Sequence, residues 1–129
     1  MTVAEAINMV DALKPNHYTT AQKVGWLNEI DGMLFNDIVK THIHDEPVPD
    51  EFEPYDTTAQ LSALTDELIA PHPYDIIYRY WLESQIDLAN AEMVKYNASA
   101  TLYNGALDNF AAYYNRKYRP IPKVRAIRI

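Results

Sequence analysis

The segment Thr41-His42-Ile43-His44-Asp45-Glu46 holds the densest group of metal-capable side chains in the chain. Two histidines two residues apart reach one ion only from an extended backbone, with Asp45 or Glu46 adding an oxygen. The spacing matches neither H-E-x-x-H nor another motif with a mechanism. A histidine near a helix C-terminus is also favoured by the macrodipole. The expectation is a polar helix end with no bound metal.

Other chemistry has less to build on. Ser62, Ser84 and Ser99 all lack a G-x-S-x-G elbow. Three scattered glycines cannot form a phosphate cradle of Walker or Rossmann type. Glu83, Asp87 and Glu92 could act as acid/base carboxylates, but their spacing does not place all three on one helix face. No cysteine is present, so there is no disulfide framework, thiolate metal site or thiol nucleophile. The residues point to no catalysis and no cofactor.

Charge is distributed unevenly. The chain carries a net charge of −7, yet residues 116–129 contain six basic residues and no acid. The rest of the chain holds five basic residues against all 18 acids. From Thr41 to Tyr78 every charged residue other than histidine is an acid. Arg116, Arg119, Lys123, Arg125 and Arg128, with Tyr113 and Tyr114, are therefore the candidate interaction residues. They could meet phosphates and stack on bases of DNA without sequence preference. An acidic body repels a polyanion, however, so an arm lying on an acidic neighbouring subunit accounts better for the same residues.

The elements that must position these groups read as helices. With 129 residues and 48% hydrophobic side chains, the chain can build one ordinary domain. Val3, Ala6, Ile7, Val10 and Leu13 share a helical face, capped by Thr2 with Glu5 three residues on, and Pro15 stops the run. Thr19 and Gln22 repeat the capping box ahead of Val24, Leu27, Ile30, Leu34 and Ile38, in a helix ending near Lys40. Residues 41–73 are acidic, divided by five prolines and irregular, with a short helical turn at Ala59–Leu64. A third helix is predicted from Tyr74 to Asn97, with Pro73 in its first turn and Trp81 largely buried at the centre of the fold. A weakening at Tyr96-Asn97 precedes a fourth helix, Ala100–Tyr118, whose stripe is Tyr103, Ala106, Leu107, Phe110, Tyr113 and Tyr114. Pro120 and Pro122 forbid helix thereafter, leaving residues 119–129 as an extended basic arm with nothing local to pack against. The expected fold is all-α: a helical domain of about four helices over residues 1–118, and the arm. The N-terminus lacks a signal-peptide pattern, and no apolar run approaches the roughly 20 residues of a membrane span. A soluble intracellular protein is the expectation.

Several of these runs resemble a known family. They are Gly25-Trp26-Leu27-Asn28-Glu29, the stretch from Glu67 to Tyr78, Tyr80-Trp81-Leu82-Glu83-Ser84-Gln85-Ile86-Asp87, Glu92-Met93-Val94-Lys95-Tyr96-Asn97 and Phe110-Ala111-Ala112-Tyr113-Tyr114-Asn115-Arg116. The series, spread over residues 20–118, resembles the small head–tail connector proteins (head-completion adaptors) of tailed phages and prophages. That resemblance implies a helical structural subunit forming a ring beneath the portal, assembled in the bacterial cytoplasm and ending in the virion neck. Its implied partners are copies of itself, the portal and the tail proteins, and it implies no catalytic residue. The acidic, proline-rich insertion at 45–56 departs from the pattern. A small helical prophage regulator or protein-binding module is the alternative.

Overall fold

In the computed structural model, which describes residues 1–122, four helices carry the fold: α1 (Val3–Leu13), α2 (Thr20–Asp37), α3 (Ile76–Ala89) and α4 (Met93–Lys117). Short 3-10 turns occupy Val39–Thr41 and Leu61–Ala63, the second within the expected helical turn. β1 (His42–Ile43) and β2 (Arg119–Pro120) form a two-stranded antiparallel ribbon. The chain is mainly helical, as expected. No helix among the described residues is long and apolar enough to cross a membrane.

Both predicted capping boxes are present. Thr2 Oγ1 accepts from Glu5 N while the Glu5 side chain accepts from Thr2 N, and Thr19 and Gln22 repeat the exchange. The first-turn amides of α1 need two further acceptors. The loop supplies them: Val3 N donates to Asp66 O and Ala4 N to Leu64 O, both at 3.0 Å. Leu64, Leu68 and Ala70 are buried beside Val3, Ala6, Ile7 and Val10. The 41–73 region was expected to be merely irregular, but its second half is a wall of the core.

α3 and α4 pack as the most extensive helix pair, and here the predicted boundaries shift. The chain turns at Asn90–Glu92 and runs straight through Tyr96-Asn97 as helix. Ala91 N donates to Leu88 O (3.0 Å) and Glu92 N to Asp87 O (2.9 Å), with Ala91 at φ 57°. These bonds make a Schellman stop whose left-handed position holds alanine in place of the usual glycine, so the expected marker is missing. An alanine there is strained. Ala91→Gly should therefore stabilise the protein by roughly 0.5–1 kcal/mol, measured by urea unfolding. A loss of stability would show that the turn is not held in this conformation.

The start of α3 moves too: Pro73 lies in the preceding turn, and Asp75 is the N-cap of a helix beginning at Ile76. Trp81 is only half-buried; its Nε1–H donates to Trp26 O (2.7 Å) and its ring lies 5.1 Å from that of Tyr103. The fully buried aromatics are Tyr78 and Phe110. The helical period places Tyr78 and Trp81 on adjoining faces, and packing against α1 and α2 selects Tyr78.

Candidate functional site

His42 lies in the ribbon and His44 just after β1, and they serve different neighbours. His42 Nδ1 lies 2.6 Å from Ile38 O and its Nε2 2.6 Å from Asn115 Oδ1. His44 Nε2 lies 2.9 Å from Val39 O and 3.0 Å from the Tyr114 hydroxyl. Both rings pack on Tyr114, and the Tyr118 ring lies tilted against His44 at 4.4 Å. The two histidines thus fasten the end of α2 to the end of α4. Among the described residues no group of three or more His, Asp or Glu is placed to hold a metal ion.

The three carboxylates considered for acid/base chemistry are each matched to a cation. Glu83 accepts from Arg79 Nε (2.8 Å), and Glu92 lies 2.6 Å from Lys95 Nζ. Asp87 is buried, ion-paired with Lys14 of α1, and accepts from Ser99 Oγ at 2.9 Å. It therefore ties α1, α3 and α4 together. A second buried acid, Asp31, has no cation beside it among the described residues. Its carboxylate accepts from Tyr55 (2.5 Å), Tyr78 (2.6 Å) and the Ile69 amide (3.1 Å). Burial pushes its carboxyl above the usual range, against the lowering effect of the two tyrosine hydroxyls and the amide. Sequence reasoning passed over Asp31, although it falls in helical phase with Leu27 and Leu34, where a buried residue is due.

The candidate interaction residues separate in space. Arg116 donates to the Tyr74 hydroxyl (3.3 Å), and Tyr74 stacks on Tyr113 at 4.4 Å. Tyr114 is only 7% exposed and serves the core, so it is not available to stack on a base. Burial raises its hydroxyl to about 12. Arg119 pairs with Ile43, and Ile121 N donates to Thr41 O (2.8 Å). The root of the arm therefore has a partner within the chain, distant in sequence, where the expectation was that residues 119–129 have nothing local to pack against. Lys123, Arg125 and Arg128 lie outside the described residues.

A surface feature not singled out in the sequence lies on the outer side of the α3–α4 pair. A groove of about 610 Å³ runs from Pro73 and Arg116 to Thr101 and Leu102. Ile76 and Leu102 on its walls are 42% and 52% exposed, and its floor includes Gly105, beside which a side chain would meet nothing within 4 Å. Along α4, Ala98, Leu102, Gly105, Asn109 and Ala112 are all exposed and spaced alternately four and three apart. No charged residue occurs between Lys95 and Asp108. The signal was legible as a second helical stripe, masked by the more hydrophobic aromatic one. No family, curated protein or solved structure matches the chain in comparisons with known proteins.

Proposed function

We propose that the protein is a non-enzymatic assembly subunit of the head–tail adaptor type that its sequence resembles, joining copies of itself into a ring between portal and tail. The observation that carries this reading is the partly apolar α3–α4 face, lined by no acid and charged only at its Arg116 end, open to solvent in a chain of net charge −7. Solvated helix faces normally carry charge, whereas the centres of interfaces are depleted of it. Two strongly acidic bodies meet with least repulsion across such a face. Ring closure by head-to-tail contacts needs two different patches on each subunit. The groove is one, and the basic arm rooted on β1 supplies the other. Its partners are then a second copy and the acidic surfaces of the neighbouring neck proteins. Assembly would take place in the bacterial cytoplasm and end in the virion neck.

The test is sedimentation of the full chain over the widest attainable concentration range. The wild type should associate reversibly. The Ile76→Glu/Leu102→Glu variant should remain monomeric, with unfolding free energy changed by no more than about 0.5 kcal/mol, since both sites are exposed. A wild type that stays monomeric throughout, or a variant that associates equally, would overturn the assignment of this face.

A further inference from the structure

The α3–α4 groove is charged at one end only. Among the described residues that line it, Arg116 is the one charged side chain. Its guanidinium donates to the Tyr74 hydroxyl (3.3 Å) and is in no ion pair among the described residues. The rest of the lining includes Ile76, Tyr80, Leu102 and Gly105. An occupant suited to these walls is slender and mostly apolar, with an acid where it meets Arg116.

The chain itself carries such a segment. In Pro47-Val48-Pro49-Asp50-Glu51 every residue but Val48 is exposed, and none belongs to a helix or strand. Each proline fixes its own φ near −65° and pushes the residue before it to extended backbone. A segment preset in this way loses little freedom on docking, and grooves walled by aromatic rings, here Tyr74 and Tyr80, take such proline-rich strands. Lys40 Nζ donates to the Asp50 carbonyl (2.7 Å), and the Asp50 and Glu51 carboxylates are in no ion pair among the described residues. Phe52, packed between Phe35 and Tyr55, anchors the base of the segment. Five residues at about 3.1 Å each extend roughly 15 Å. From Gly105 to Arg116 α4 rises about 17 Å, so the lengths match.

The segment faces away from its own groove. Tyr114, which packs on His44 at the start of the loop, and Arg116 are two residues apart on α4 and point to opposite sides of it. Residues 45–48 line a shallow pocket with Tyr118, beside the arm root. We propose that the groove of one subunit takes the Pro47–Glu51 segment of a second copy, with Asp50 and Glu51 against Arg116. Each subunit then offers a loop on one side and a groove on the other, the head-to-tail contact that a ring needs. This inference rests on the assembly reading and names the segment that fills its open face.

Charge exchange tests it by sedimentation of the full chain. Asp50→Asn/Glu51→Lys and Arg116→Glu, all at exposed positions, should each weaken self-association at least tenfold. Net charge alone would make the first variant, the less acidic one, associate better than the wild type. Mixed one to one, the two variants should associate again, because each supplies the charge that the other's loop or groove requires. A loop variant that associates like the wild type, or a mixture that stays dissociated, would overturn the proposal. The loop variant alters no regular element, so it decides alone if Arg116→Glu disturbs α4. If the loop variant associates normally while Ile76→Glu/Leu102→Glu stays monomeric, the groove remains an interface but takes another segment. A wild type that is monomeric throughout overturns both readings.

Discussion

Phe110→Ala should destabilise the protein by about 3–5 kcal/mol and lower its melting temperature by roughly 10–20 °C. Phe110 has no exposed surface, and its ring meets Tyr114 at 5.6 Å, Tyr113 at 6.2 Å and Tyr74 at 6.5 Å. Truncation removes the apolar area of the ring. It also leaves a void that the packed helices cannot close by small shifts. Urea unfolding should show a lower midpoint with an unchanged slope, because the surface exposed on unfolding stays the same. Phe110→Leu fills most of the void and should lose less than half as much. If Phe110→Ala costs under about 1 kcal/mol, α4 is not anchored by this ring.

Replacing Asp31 should have the next largest effect. In Asp31→Ala the Tyr78 hydroxyl, itself accepting from Ala70 N at 2.7 Å, loses the acceptor for its proton, and the Ile69 amide loses its partner. Unsatisfied buried groups cost about 1–3 kcal/mol each. Tyr55 is less enclosed and can turn to water, so a net loss of about 2–4 kcal/mol is expected. Asp31→Asn adds a dependence on pH. Burial raises the Asp31 carboxyl in the folded state, so folding binds its proton more tightly than the unfolded chain does. The contribution of that proton is complete below the ordinary carboxylate range. It is lost as pH rises through the raised value. Asparagine carries no such charge. The deficit of Asp31→Asn relative to wild type should therefore be smaller at pH 7 than at pH 4, as read from paired urea titrations. A deficit that grows with pH would mean that the carboxylate form is the one the folded state prefers.

What the sequence by itself determined is what short-range chemistry controls. Thr2 with Glu5 and Thr19 with Gln22 start α1 and α2 where expected, because a capping box needs only four consecutive residues. Val3, Ala6, Ile7 and Val10, and Val24, Leu27, Ile30 and Leu34, are buried as their 3.6-residue period requires. Pro120 and Pro122 end helix for a local reason as well. Tertiary structure decided the rest. Ala91 takes a left-handed turn that alanine does not advertise, because the pairing of α3 with α4 compensates its strain. Asp31 and Asp87 are of the same residue type as the solvated acids around them. Only their neighbours, two tyrosines for one and Lys14 with Ser99 for the other, make burial tolerable. The loop residues Leu64, Leu68 and Ala70 have no periodicity to betray them, yet they close the core, in a loop whose Leu64 and Asp66 carbonyls accept from the first amides of α1. The arm root finds β1 some 78 residues back, at His42 opposite Pro120. α4 has apolar residues on more than one side, so its period shows which faces could be buried. Which one became core was settled by α3, and that left the Leu102–Gly105 face open to solvent.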